Sequence, residues 1–583
     1  MVIDAGMRLV YMSITLYTRE NGGACRVVTK GGPACLQVNL VGPHPILRHF
    51  LDRMTFSRIV NSCLAPARES LLDHATTLSL LLQNILLSPA PLYRIAEWVA
   101  PVRANVLGLS EVQKLSLNDD RIARSLEALT SFRANSLFFR LALHVIREFE
   151  IDTGRIHHDT TTVTVSGQYK TSLQEPQITY GISKAHRPDL KQLVFGLNIS
   201  ADGAVPISHD VFSGNRTDDT IHVGNVERLR QVLGRDDFIY VADSKLATRK
   251  NMGHIDGYGG KFVTVLPRTR TEDRVFRDQL RLGENPIRWR KLLEIPNPRR
   301  HGEADIYWST SGGVQKTEEG YRLVWCRSSQ KMQLDHQIRE TSLKKAEALL
   351  FDLNSRLGRG KLRRRKAIRR EIKSILMEKD CEDFLRVTIV NRSEREKKRR
   401  RCGRPGKNDP VRWVTTTHYD LDIQRDREVL KAERRTDGVF PLTTNLGETH
   451  VRKDVLLIYK YQPYVEKRHA LFKTELGVAP VYLKKPRRVA GLIHAHFLAM
   501  TLDALIERTL RQGMKHMGLD SLPILPEGRE TKTPTTARLL EMFSGVSWHE
   551  FKRGEETVVF PIRLSPLQKQ LIRLLGMDST SYA

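Results

Sequence analysis

The chain has 583 residues, 40% of them hydrophobic, with 94 Lys+Arg against 66 Asp+Glu and a formal net charge of +28. That hydrophobic share excludes a disordered chain, and the length implies several domains. The charge excess points to nucleic acid rather than to an anionic membrane surface, and no run of 18 or more apolar residues reads as a membrane span. Six cysteines without a CxxC pair, in a chain this long, exclude a disulfide scaffold and argue for a reducing compartment.

Residues 1–42 read as an irregular leader. From 43 to 150 the pattern is helical: PILRHFLDRM sets Ile46, Leu47, Phe50, Leu51 and Met54 at helical spacing. Asn118 and Asp119 offer N-caps for IARSLEALTSF, and FFRLALHVIREFE follows. This region reads as a helical domain for DNA-end binding or dimerisation. The pattern changes over 151–270. RIHHDTTTVTV is β-branched and reads as a strand. QITYGIS, QLVFGLNIS and AVPISHDVF read as further strands, and DDTIHVGNVERLRQVLG as a helix. FIYVAD is a short apolar strand and KFVTVLP another. Strands and helices in that order make a mixed α/β sheet.

Residues 271–435 break that order. Strand-like EADIYWST, YRLVWCRS, DFLRVTIV and RWVTTTHYDL surround a basic helical stretch, 334–379, that contains KLRRRKAIRREIK with Arg363, Arg364 and Arg365. Charge on nearly every face of that stretch makes phosphate contact its expected role, and the basic run REKKRRRCGRPGK at 395–407 reads as a loop. Over 436–508 a buried strand, GVFPLTTN, returns. Helical VRKDVLLIYKYQPYVEKRHALFKTEL follows, with a bend or local break expected at Pro463, and then the apolar helix VAGLIHAHFLAMTLDALIERTL. Residues 509–583 read as a helical tail.

Three acidic residues carry the chemistry: Asp159 in HDTTTV, Asp243 in YVADSK and Glu466 in YVEKRH. Singly, each has a plain structural explanation. Asp159 is then a polar strand residue beside a turn, Asp243 an N-cap, and Glu466 a surface residue paired with Lys467 or Arg468. Together they suggest a carboxylate cluster, which opposes its own ionisation until a cation joins it. Two Mg²⁺ or Mn²⁺ ions can activate an attacking water and stabilise the leaving oxygen of a phosphodiester. Mg²⁺ needs few carboxylates, because water and phosphate complete its shell. Asp159 is expected to bridge both ions, with Asp243 and Glu466 holding one each. His157 and His158 are expected to pack or hydrogen-bond. In SGNRTDD, Asn215 or Asp218 is expected to cap a helix, and Arg216 is a candidate phosphate contact. Lys245, close behind Asp243, is another candidate DNA contact.

These segments, with Tyr459, Gln462, Glu466 and Lys473 on the third, resemble the DDE transposases of bacterial insertion sequences. The pattern is similar to that of the IS-four-like superfamily, Y-x2-R-x3-E-x6-K. Gln462 stands where that pattern has Arg, as in the branch named after insertion sequence sixteen-thirty-four. GPHPILRHFLDRM, NILLSPAPLYRIAEWVA and SPLQKQLIRLLG are similar to that branch too, so the resemblance spans 42–575. It implies an RNase H-like catalytic core, a mixed sheet flanked by helices, interrupted at 271–435 by a largely β insertion domain. It implies metal-dependent cleavage of double-stranded DNA at inverted-repeat ends, then transfer of the freed 3′-OH into target DNA. Asp159, Asp243 and Glu466 would bind two Mg²⁺ or Mn²⁺ ions, and a homodimer would synapse the two ends. Tyr459, Gln462 and Lys473 are the implied contacts to end phosphates, although Gln462 brings a hydrogen bond and no charge. The implied setting is a bacterial cytoplasm, at the nucleoid and away from membranes. Two other functions stay open on the residues alone: a metal-dependent nuclease of the same core without strand transfer, and a domesticated or inactive DNA-binding derivative.

Overall fold

Two strands, β1 (Ala24–Thr29) and β2 (Gly32–Leu40), open the regular part of the chain. β2 pairs antiparallel with β14 (Ser547–Arg553), and β15 (Glu556–Phe560) completes a four-stranded sheet. Residues 24–40 are therefore not an irregular leader, and the segment after 509 is not purely helical. β1–β2 and β14–β15 are local hairpins, and the pairing of β2 with β14 joins them across more than 500 residues, which local pattern does not reveal. The computed structural model describes residues 24–29, 32–66, 70–89, 91–131, 134–169, 176–182, 184, 187–283, 287–297, 303–399, 411–479, 481–553 and 556–582. The chain divides into two compact units, one of residues up to 262 with those from 458 onward, the other of residues 263–457.

In the first unit, the helices between 44 and 148 bury the faces their spacing predicts. The helix His44–Arg53 buries Ile46, Leu47, Phe50 and Leu51. Asn118 caps the helix Asp119–Ala128 by accepting from the Arg121 N–H at 2.8 Å, and Asp119 is its first residue. Against this group lies a 31-residue helix, Pro486–His516. It is long and apolar enough to cross a membrane by length and composition, yet 89% of its apolar window is buried within the protein. Gly491 lets it approach the helix Asp119–Ala128 closely, because a Cβ there would run into the Leu126 carbonyl.

The strands of the predicted core follow. β3 (Arg155–Val165) runs antiparallel to β4 (Lys191–Ser200) and parallel to β6 (Ile239–Val241), and β5 (Pro206–Ser213) flanks β4. Their order is β5-β4-β3-β6. β3 is buried on both faces along most of its length, the condition of a strand covered above and below. Among the described residues of the predicted strand QITYGIS, only Thr179 bridges, to Gln192. β7 (Lys261–Val265) carries the chain out of this unit.

In the second unit, β8 (Arg290–Pro296), β9 (Ala304–Thr310), β10 (Arg322–Ser328) and β13 (Val439–Thr444) join β7 in the order β7-β13-β10-β9-β8. All the recorded pairings are antiparallel. Helices are prominent here, so the expected largely β insertion is corrected to a mixed one. The helix Ser329–Ser355 buries Leu343, Ala346, Leu350 and Leu353 against Ile368, Ile372 and Leu376 of the helix Arg365–Glu378. The basic stretch thus does have a core-facing stripe, at i, i+4 and i+8. Charges crowd both sides of it, which hides the period. β11 (Leu385–Arg399) and β12 (Val411–Arg425) form a separate two-stranded ribbon. Residues 395–399 of the expected basic loop are strand; the rest of that loop, 400–407, lies outside the described residues.

Helix propensity alone makes Gly491→Ala stabilising by roughly 1 kcal/mol. The close approach reverses the sign: the substitution is expected to destabilise by about 1–3 kcal/mol, read as a lower urea midpoint in the purified protein.

Candidate active site

Asp159 lies midway along β3, opposite Leu197 of β4. Its Oδ1 accepts the Thr160 N–H at 2.7 Å. Burial pushes its carboxyl up to about 6; the Lys184 ammonium and the Thr160 N–H oppose this, and the charges of Asp243 and Asp218 add to it. β6 ends at Val241, and Asp243 follows in the turn. There its Oδ1 accepts the Lys245 N–H at 3.0 Å at the start of a short 3-10 turn, Ser244–Leu246. Asp243 is therefore the N-cap that its context suggested. It is also a carboxyl raised by burial, with the charge of Asp218 adding to the effect.

The third element is two helices, with the chain breaking just before Pro463. Arg452–Tyr459 ends, and Pro463 starts Pro463–Lys473 at its first position, where a missing N–H costs nothing. Glu466 sits exposed in the first turn of this helix, while Val465, Arg468, His469 and Phe472 face inward. Tyr459 links the set. Burial raises its phenol above the usual range, and the charges of Asp243, Glu466 and Asp159 all add to the shift. One phenol within electrostatic reach of all three places the carboxylates in one neighbourhood.

Gln462 departs from its expected role. It is 6% exposed. Its Oε1 lies 3.0 Å from His157 Nδ1, and its Nε2 donates to the His158 carbonyl at 2.7 Å. The amide thus ties the helix to β3 through its carbonyl and one N–H, and its burial keeps it from a DNA phosphate. An Arg in this slot would bury a charge, which the neutral amide avoids. His157 and His158 point to opposite faces of the strand. His158 Nδ1 meets Asn198 Oδ1 at 3.0 Å.

Other residues join this neighbourhood. Lys473 is half-buried; burial and the nearby Lys184 lower its ammonium, and Asp159 opposes them. His469, buried, has its Nε2 3.8 Å from Asp159 Oδ2, and burial lowers it to about 3, so the ring is neutral. Sequence reasoning missed two participants. Asp218 does not cap a helix: its Oδ1 accepts the Thr160 hydroxyl at 2.6 Å, and its Oδ2 lies 3.0 Å from Lys184 Nζ. Burial works against its charge, yet the Thr160 and Lys184 contacts hold it below the usual carboxylate range. Lys184 also donates to the Thr160 carbonyl at 2.9 Å and hydroxyl at 2.7 Å. The Asp218-Asp219 pair was the available signal for the first; Lys184, from a turn, had none. Lys245 and Arg216 are exposed. Arg363, Arg364 and Arg365 are exposed in the other unit, where Arg363 Nε donates to the Gly358 carbonyl.

Among the described residues, no group of three or more His, Cys, Asp or Glu side chains is placed to hold a single metal ion. A three-carboxylate shell around one ion therefore does not fit. The donor chemistry does fit hard divalent ions held by fewer carboxylates each. Asp159 and Asp243 are partly buried oxygen donors whose carboxyls desolvation raises, and a divalent cation would offset that cost.

Residues 36–143, most of the helical region, match a family described as a domain of unknown function, DUF4277. No curated protein matches the chain. Among solved structures, the chain is similar to "Mos1 transposase paired-end complex with left transposon end". The match has 11% identity and a TM-score of 0.14, and covers 34% of this chain and 60% of that one. The chain therefore spans less than two thirds of that protein's length. It is also similar to a piggyBac transposase synaptic complex with hairpin DNA. That match has 9% identity and a TM-score of 0.26, covering 81% of this chain and 82% of that one.

The Asp159 carboxyl binds its proton more tightly in the folded protein than the ordinary value of 3.8 allows. Its stabilising contribution is complete below that value and is lost as pH rises through about 6. Asp159→Asn is therefore expected to stabilise the metal-free protein at pH 7.5 by about 1–3 kcal/mol, the gain vanishing near pH 4, as read from urea midpoints in chelator. Gln462→Leu leaves a buried ring nitrogen and a carbonyl unpaired and should cost about 1–3 kcal/mol. The salt dependence of DNA affinity should stay unchanged, as measured by fluorescence anisotropy.

Proposed function

We propose that this chain is a DDE-type transposase with an RNase H-like core. It cleaves DNA at transposon inverted-repeat ends and transfers the freed end into target DNA. The observation that supports this best is the shared electrostatic neighbourhood of Asp159, Asp243 and Glu466 at the Tyr459 phenol, in a chain of net charge +28. Asp159 and Asp243 would hold divalent ions, with Glu466 as the third carboxylate. Mg²⁺ or Mn²⁺ bound there supplies charge stabilisation to the attacking and leaving oxygens of a phosphodiester.

The protein's own groups do the rest. Tyr459 keeps its phenolic proton and so donates to a phosphate oxygen, never accepts from one. Lys473 and Lys184, both close to Asp159 in charge, draw the phosphate toward the carboxylates. Neutral His469 closes the inner side of Asp159 without adding a charge there. In the first reaction an O–P bond forms from water, the P–O3′ bond breaks, and the 3′-oxygen leaves with a proton. In the second, that 3′-hydroxyl attacks a target phosphodiester: its oxygen bonds to the target phosphorus, the target's own P–O3′ bond breaks, and the displaced 3′-oxygen leaves with the proton that the attacking hydroxyl gave up. Two copies of the chain would hold the two ends.

The test uses purified protein, Mg²⁺ or Mn²⁺, its own inverted repeats and a pre-cut 3′-OH end. Wild type should cut the ends and join the pre-cut end to a plasmid. Asp159→Asn, Asp243→Asn and Glu466→Gln should each reduce both reactions to background. Hydrolysis without joining would identify a nuclease, and end binding without cutting a DNA-binding derivative. Variants that cut as well as wild type would refute the site.

A further inference from the structure

The ribbon β11–β12 changes character along one face. In an antiparallel pair, residues directly opposite share a face, and alternate residues follow on it. At the root this face carries Leu385, Val387 and Ile389 with Leu421 and Ile423, all packed into the core formed by the helices Ser329–Ser355 and Arg365–Glu378. Beyond Tyr419 the same face runs on through Asn391, Ser393, Arg395 and Lys397, opposite Tyr419, Thr417, Thr415 and Trp413. Residues 391–398 are all exposed. At 3.3 Å per residue, the strand from 390 to 399 extends about 30 Å past the core. An isolated two-stranded ribbon is marginal in water, so its outer half gains order by lying against a partner.

Charge is sorted between the faces. The face that continues the core has Arg395 and Lys397 and no acid, and Trp413 is 62% exposed with Lys397 Nζ 5.0 Å from its ring centroid. The opposite face mixes Arg392, Lys398 and Arg412 with Glu394 and Glu396. We infer that the Arg395–Lys397–Trp413 face is an arm that binds duplex DNA through residues separate from the carboxylates. A single exposed aromatic among threonines and serines offers too little apolar area for a protein partner, while two unopposed cations suit phosphates. The B-DNA major groove admits a two-stranded ribbon; the deep, narrow major groove of duplex RNA does not. Arg395 and Lys397 would take phosphates, and the Trp413 ring would lie along the groove wall. The inference rests on DNA being the substrate of the carboxylate site, but it can fail separately.

The test is binding of the full chain to a labelled 30-base-pair DNA duplex of arbitrary sequence, by anisotropy over a KCl series without divalent metal. Arg395→Ala with Lys397→Ala should reduce the slope of log Kd against log salt by about 1.8, two phosphate contacts at about 0.9 each. Arg392→Ala with Lys398→Ala, on the other face, should change it by less than half as much. Trp413→Phe should remove a DNA-induced change in tryptophan emission that wild type shows. Equal slopes for the two double variants, an unchanged emission response in Trp413→Phe, or an equal loss of affinity for duplex RNA would each overturn the arm. Since binding is read without metal, a failed cleavage assay would bear on the carboxylate site and leave this result intact.

Discussion

The side-chain amide of Gln462 joins two parts of the chain that are 305 residues apart, and the site depends on that join. Asp159 belongs to a strand locked by its neighbours on both faces. Glu466 belongs to a short helix whose position must be set from outside, because an 11-residue helix has little stability of its own. Gln462 sets it at the helix start by bonding to His157 and to the His158 carbonyl. Arg468 sets it one turn later, reaching Asp503 at 2.7 Å, Glu507 at 3.0 Å and the Ala204 carbonyl at 3.0 Å. With both anchors buried, Glu466 is held on the exposed side of the helix and Lys473 half-buried at its end.

Arg468 also explains how the long buried helix Pro486–His516 tolerates charge. Asp503 and Glu507 lie in the buried stretch of Pro486–His516, where an unpaired carboxylate would be expensive. Burial raises Asp503 to about 7, with Glu507 adding to it and Arg468 opposing. Breaking such a network by removing one partner is far more damaging than replacing it whole. Packing of the long helix and placement of the carboxylate helix are thus one problem with a shared solution.

The elements nearest the carboxylates were legible in the sequence because local pattern and tertiary role agree there. RIHHDTTTVTV is β-branched and buried on both sides, and FIYV is apolar and central. Legibility failed where a residue's role depends on a distant partner. The strands at 24–40 need 547–553. Asp218 and Lys184 come from turns, and only their contacts to Thr160 give them meaning. The stripe Ile368, Ile372 and Leu376 is narrow enough to vanish among arginines. REKKR reads as loop because nothing apolar marks it, yet it is held extended by pairing with β12. Gln462 is the opposite case: the motif gave it a place, and burial gave it a different task.

The sheet β1-β2-β14-β15 has a consequence for how the protein is made. Its inner pair joins Leu40 to Ser547, so it cannot close until the chain through Ser547 has left the ribosome. At roughly 5–20 residues per second, that delay is on the order of a minute. Glu466 emerges late in the same interval, after the entire second unit. A growing chain on the ribosome, however close to DNA, therefore carries a strand with Asp159 and a turn with Asp243, but no assembled site.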